Sequence, residues 1–249
     1  MITIGGRAHN IEEILEVGNF GYPFVEISLD DPATVAGWIP QLLELKDTTG
    51  ISFLAHYPNE DNPLDVDVLR NKFLPRIKTL MDLSRQLDIT KATLHFWIDQ
   101  RWASADLITG KLELLSRIVD YGNEYGITIC IENLSERSES FRPAFDAIHD
   151  LRMTLDIGHA QLLSQHNTSF RFIEDHFSRI AHLHVHDNRG GTSVKDDLHL
   201  PLGDGIVDYS AIIASLVSKG YDSTITMEVK PGDMSRTRKA LEDCINETR

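Results

Sequence analysis

The chain has 249 residues, of which 41% are hydrophobic, with a formal net charge of -14 and two cysteines. Its length fits one (β/α)8 barrel, so a single domain over 1–249 is expected, and no apolar run approaches the ~20 residues of a membrane span. The charge opposes a polyanionic partner such as nucleic acid unless a local basic patch overcomes it, and Cys130 and Cys244 supply no disulfide framework and fit a reducing cytoplasm.

Eight strand-like runs alternate with helical patterns along the sequence. The opening MITIG reads as a strand over about 2–5, without the basic and then apolar segments of an export signal, and a cytoplasmic protein is expected. A helix over 11–17, a strand over 24–29 and a helix over 35–45 follow. The third strand ends at His56. Beyond it Leu69, Phe73, Ile77, Leu80 and Leu87 recur at helical spacing, and Pro75 should kink that helix. Strand four ends near His95, followed by a helix over 107–125, and strand five ends at Glu132, followed by a helix over 141–149. Strand six ends at Asp156, strand seven at His184 and strand eight at Glu228, with helices at 170–177, 208–219 and 234–246. This alternation predicts a closed, all-parallel (β/α)8 TIM barrel.

The strand ends carry the chemistry. His56, His95, Glu132, Asp156, His184 and Glu228 each close a run, His159 lies three residues beyond Asp156, and Asp197 and His199 share one side of an extended segment. A parallel barrel delivers such side chains to one rim, where carboxylates and imidazoles together form a divalent-metal site. Parity supports this, because each ligand shares its face with small or polar residues such as Ser52, Thr93, Thr128, Cys130, Thr154, His182 and Thr226. The opposite faces are apolar: Phe53, Leu94, Ile129, Ile131, Leu155, Leu183 and Ile225.

A lone barrel histidine is more often a hydrogen-bonded core residue than a ligand. Ionised carboxylates ending buried strands are harder to explain without a compensating cation. Glu132 and Glu228, on opposite sides of the mouth, are read either as metal ligands or as bases on either side of a substrate. His182 is expected deeper in the barrel, and His186 above the metal near substrate. His9, His149, His166 and His176 are expected at the surface. Glu26 is either a buried hydrogen-bonded carboxylate or a substrate contact.

The segments AHYP, TLHFW, IENL, DIGHA, HVHDN, DLHLPLGDG and MEVKP resemble those of the xylose-isomerase-like TIM barrels, the superfamily that contains endonuclease IV and many sugar isomerases and epimerases. The resemblance to endonuclease IV implies a three-zinc centre, whose ligand order is matched here by His56, His95, Glu132, Asp156, His159, His184, Asp197, His199 and Glu228. The resemblance to the isomerase and epimerase branch implies one divalent ion, manganese, magnesium or cobalt, at Glu132, Asp156, His184 and Glu228.

The full ligand set points first to multi-zinc hydrolysis of a small or nucleic-acid phosphodiester, because three divalent ions outweigh the carboxylates and suit an anionic substrate. The alternative is a mononuclear-metal sugar or sugar-phosphate isomerase or epimerase, and the third reading is a non-catalytic metal- or sugar-binding barrel. Arg101, Trp102 and Lys230 join His186 as expected substrate contacts, with Arg137, Arg142, Arg189 and Lys195 also in catalytic-side loops. Trp38, Trp97 and Trp102 are candidates to cover a substrate or a partner subunit. The net charge and short βα-loops disfavour nucleic acid, leaving a small phosphoester or sugar as the expected partner.

Overall fold

The computed structural model describes residues 1–248. Eight strands, β1 (Thr3–Ala8), β2 (Phe24–Ser28), β3 (Ser52–His56), β4 (Lys91–Leu94), β5 (Thr128–Glu132), β6 (Arg152–Asp156), β7 (Ile180–Val185) and β8 (Thr224–Met227), form a closed parallel barrel in chain order. Around it run α1 (Ile11–Gly18), α2 (Pro32–Thr49), α3 (Val66–Val68), α4 (Leu74–Gln86), α5 (Ala105–Glu124), α6 (Ser138–Ala147), α7 (Ser169–His176), α8 (Tyr209–Ser218) and α9 (Met234–Thr248). Among the described residues, no helix is long and apolar enough to cross a membrane.

The parity expected from the sequence holds. Val25, Ile27, Phe53, Ala55, Leu94, Ile129, Ile131, Leu155, Leu183, Val185, Ile225 and Met227 are buried in the apolar core between barrel and helices. The opposite faces fill the interior with polar groups that satisfy one another, as burial requires. Thr93 and Thr154 hydroxyls lie 2.9 Å apart, and the Lys91 ammonium donates to the Ala181 carbonyl at 2.7 Å and to Thr224 Oγ1 at 2.7 Å. Helix starts follow local chemistry: Asn10, Asp31 and Ser104 accept from backbone N–H groups of the first turns of α1, α2 and α5, and Pro32 supplies the preset φ of a first helical residue.

Two expectations are refined. The long amphipathic stretch after β3 is one helical path interrupted by a π turn at Leu69–Phe73, directly before Pro75. Proline lacks the N–H that would continue the ladder, and the turn absorbs the mismatch. Strand β1 extends to Ala8 rather than ending near residue 5. The glycine pair within it is a packing requirement: a Cβ on Gly5 would sit 2.5 Å from the Phe24 carbonyl oxygen, and one on Gly6 2.7 Å from Met234 Sδ. The added length brings Arg7 into the barrel mouth.

Candidate metal centre and active site

Four overlapping groups of potential ligands meet at the C-terminal end of the strands, where active sites of this architecture lie, and three of them together hold every candidate ligand read from the sequence. The central group is Glu132, Asp156, His184 and Glu228, whose ligand atoms all lie within 4.8 Å of one another. His184 Nδ1 is 3.0 Å from Glu132 Oε1, 3.3 Å from Glu228 Oε1 and 3.9 Å from Asp156 Oδ2. The second group is His56, His95 and Glu132, with His95 Nε2 2.7 Å and His56 Nε2 3.3 Å from Glu132 Oε2. One carboxylate therefore faces two groups through its two oxygens. The third group is His159, His186, Asp197 and His199; the Nε2 atoms of His159 and His199 are each 3.1 Å from Asp197 Oδ2. All nine residues read from the strand ends and the DLH segment are brought together. His186, expected near substrate, is grouped with them: it is fully buried, with Nε2 3.2 Å from Asp156 Oδ1.

The orientation of the imidazoles tests whether the donors fit a metal. In His56, His95, His159 and His199, Nδ1 faces an oxygen of Tyr57, Asn59, Asn133 or Glu228 that can only accept, at 3.1, 2.5, 3.1 and 2.9 Å. In the neutral form that a metal would bind, the proton belongs on Nδ1 and the Nε2 lone pair is left facing the centre. His184 is reversed: Nε2 donates to Glu26 at 2.9 Å and Nδ1 faces the centre. Fixing one ring nitrogen so that the other is free is how metal-binding histidines are held. Buried polar atoms without a hydrogen-bond partner complete the pattern: His95 Nε2, Asp156 Oδ2, Asp197 Oδ1 and both ring nitrogens of His186. Leaving these unpaired is costly, and a divalent cation would take up one lone pair from each of these residues. The donor set of imidazole and carboxylate accepts zinc, manganese or cobalt.

Electrostatics point the same way. Burial alone would raise the Glu132 and Glu228 pKa values, but His184 and other positive neighbours, Arg7 among them for Glu228, outweigh it; Glu132 falls well below the ordinary range and Glu228 to about 2. Burial would likewise lower His159 and His184, yet the surrounding carboxylates hold both well above 6.5. In the metal-free chain, imidazolium ions supply the positive charge that the acids demand.

Arg7 was not assigned by the sequence, and Glu26 was left with two readings. Arg7 Nε lies 3.1 Å from Glu228 Oε1, and its terminal nitrogen donates to Ser28 Oγ at 2.9 Å. Inward parity after Gly5 was the available signal. Glu26 is a fully buried acceptor, bonded by His184 and His182 at 2.9 Å each and by Thr226 Oγ1 at 2.6 Å, which settles its two readings in favour of the hydrogen-bonded carboxylate. His182 lies one rung below His184, as expected.

Other expected contacts fall elsewhere. The mouth opens as a cavity of about 250 Å³ lined by Arg7, His9, Ser28, His56, His199 and Glu228 among others, next to a groove of about 610 Å³. Arg101, Trp102 and Lys230 line neither. The Arg101 guanidinium is held by Asp99 at 2.6 Å and the Ser135 carbonyl, Trp102 is 68% exposed, and Lys230 is an exposed residue preceding a short 3-10 turn. His9, expected at the surface, is exposed but lines the mouth, with Nδ1 3.3 Å from Ser28 Oγ. His176 is buried, because α7 turns it inward to donate to the Ser138 carbonyl at 2.8 Å.

The family model for the xylose isomerase-like TIM barrel matches residues 14–245, and the chain belongs to that family. An uncharacterised protein of Methanocaldococcus jannaschii is 28% identical over 206 residues, covering 77% of this chain and 69% of the relative. Similar solved structures include a D-tagatose 3-epimerase-like protein (24% identity, TM-score 0.84, 98% of both chains) and a Thermus thermophilus protein soaked with ZnCl2 (21%, 0.79, 99% of both). A D-allulose 3-epimerase from Methylomonas sp. in complex with D-allulose aligns at 17% identity and TM-score 0.72, over 99% of this chain and 93% of that one. At these identities the structural likeness establishes the shared fold.

Two outcomes follow from the site. Glu26→Gln, which replaces the carboxylate that orients His184, is expected to weaken divalent-metal affinity by ~10–100-fold, measured by competition with a chelating dye; unchanged affinity would remove Glu26 from the account. His199 is raised to about 9, since its hydrogen bond to Asp197 and the charges of Glu228 and Asp197 outweigh burial. A pKa raised from about 6.5 makes the protonated form stabilising, fully below about 6.5 and progressively less as pH rises through about 9. The chelated protein should therefore lose thermal stability across that window. Because metal binding requires the neutral imidazole, saturating Zn2+ should remove this loss. A flat melting profile in chelator would contradict the assignment.

Proposed function

We propose that the chain is a divalent-metal-dependent isomerase or epimerase of small polyhydroxy carbonyl compounds. The observation that carries the reading is the pair Glu132 and Glu228, buried at the ends of β5 and β8 and meeting the same His184 nitrogen from different strands at 3.0 and 3.3 Å. Glu132, Asp156, His184 and Glu228 would hold the ion, which when bound polarises a carbonyl and its neighbouring hydroxyl and acidifies the C–H between them. Both glutamates are ionised near neutral pH, the form that accepts a proton. One removes the C–H proton. Delivery of a proton from the opposite face by the other carboxylate, once it has taken one from solvent, inverts the centre, whereas return to the adjacent carbon by the same one, with the hydroxyl proton passing to the former carbonyl oxygen, exchanges aldose and ketose. Arg7 keeps the Glu228 carboxylate in place through its contact at 3.1 Å.

The epimerase titles among the similar structures, one of them in complex with D-allulose, support this reading. Ligand count alone favours multi-zinc phosphoester hydrolysis, and the groups around Glu132 and Asp197 keep that as a second reading. The cavities reverse the order. Among the described lining residues the only arginine or lysine is Arg7, already engaged by Glu228, so little is offered to a phosphate beyond what metal ions would supply.

The test is exchange of carbon-bound hydrogen with D2O, followed by NMR over a panel of ketoses with Mn2+-, Co2+- or Zn2+-loaded protein. Exchange at the carbon next to the carbonyl is expected, with Glu132→Gln and Glu228→Gln each reducing it by ~100-fold or more. No exchange with any metal, together with chelator-sensitive hydrolysis of bis(4-nitrophenyl) phosphate, would transfer the assignment to the hydrolase reading.

A further inference from the structure

The groove beside the metal centre is the larger of the two cavities, at about 610 Å³, within the range of small-molecule sites. It shares Asn59, His95, His159 and Asp197 with the mouth, so one ligand can occupy both. Away from those shared residues its wall is mostly apolar: Pro63, Leu64, Trp97, Leu134, Leu162 and Leu163. We propose that this groove receives an uncharged apolar substituent of the substrate, which makes the ligand a polyhydroxy carbonyl compound carrying an aryl or alkyl group rather than a phosphate. The inference rests on the sugar reading of the metal centre and adds the class of the substituent.

Charge excludes the phosphate. No lysine or arginine is among the described residues lining the groove. Glu60 is the one charged group there apart from those shared with the mouth, and its carboxylate is committed to the Lys111 ammonium at 2.5 Å and the Trp97 N–H at 2.8 Å. A phosphate there would lie beside the Glu60 and Asp197 carboxylates with no lysine or arginine on the described groove wall to bind it. The nearby guanidinium of Arg137 is instead spent on the Leu163 carbonyl at 2.5 Å.

The rim supplies an independent argument. Leu64 is 61% exposed and Leu163 38% exposed, both on the groove. Leu163 also adopts a left-handed backbone, φ +55°, unfavourable for a branched side chain. That conformation is maintained by its N–H to the Gly191 carbonyl at 2.8 Å and by Arg137. A large apolar side chain held strained and open to water gains its burial only when something apolar lies against it. Ser135, Thr192 and Ser193 leave neutral hydrogen-bonding groups beside it.

The experiment compares one head group with three tails. Dissociation constants of the Mn2+-loaded protein are measured by calorimetry for D-fructose, its 6-phosphate and its 6-O-benzyl ether, with benzyl alcohol as control. Burying the ring should tighten the benzyl ether over the parent sugar by at least about tenfold, with no gain for the phosphate. Leu64→Ser and Leu163→Gly, at exposed positions and with glycine suited to the left-handed backbone, should each shrink that ratio. Equal affinities, a preference for the phosphate, benzyl alcohol binding as tightly as the ether, or no binding by any of the ligands would overturn the proposal. Exchange with D2O in the same samples separates the two readings: exchange without a benzyl preference sinks the groove inference alone, and a benzyl preference without exchange sinks the catalytic reading alone.

Discussion

Four carboxylates, Glu132, Asp156, Asp197 and Glu228, converge at one rim of a barrel whose walls exclude water from most of them. Ionised groups so placed are tolerated only with compensating charge and hydrogen bonds. The surrounding structure is arranged around that demand. Imidazoles from β3, β7 and the segments following β4 and β6 face the acids with one nitrogen, and the other nitrogen of most is anchored to a carbonyl or to Glu26. Protonated histidines can balance the charge in the metal-free chain. They leave Asp156 Oδ2, Asp197 Oδ1 and the His186 ring without partners, and a divalent ion could be held by one atom of each.

Below the rim a second polar layer transmits this order into the barrel. His184 rests on Glu26, Glu26 is bonded by His182 and Thr226, and His182 Nδ1 lies 2.6 Å from Thr224 Oγ1, which also accepts from Lys91. Strands β2, β4, β7 and β8 are thus joined through side chains as well as through the ladder. Catalytic precision at a metal centre depends on such support, because a ligand free to rotate would soften the positions of every group it touches.

The barrel and the convergence of acids and imidazoles at its rim were legible in the sequence because both follow from period-two alternation, which ties each strand-end acid or imidazole to the inward face. His56, Glu132, Asp156, His184 and Glu228 could be placed from parity alone. The resemblance to xylose-isomerase-like barrels added His95, His159, Asp197 and His199 to an ordered ligand set, and the family match bears out that resemblance. Arg7 escaped notice because the first strand is expected to end near residue 5, whereas Gly5 and Gly6 are the residues that let β1 pass Phe24 and Met234. Arg101, Trp102 and Lys230, expected beside substrate, line neither cavity. Loop side chains point where their partners hold them, and nothing in sequence spacing reveals that Asp99 claims Arg101. Trp97, read as a possible cover for substrate, lies in the groove wall with its indole N–H donating to Ser135.

The central claim is that a divalent ion belongs among Glu132, Asp156, His184 and Glu228. Anomalous X-ray diffraction from crystals equilibrated with Mn2+ tests it most directly. The account predicts an anomalous peak within coordinating distance of His184 Nδ1 and the three carboxylates. A folded protein that shows no ion there at saturating metal, with those carboxylates still paired to protonated His159 and His184, would contradict it.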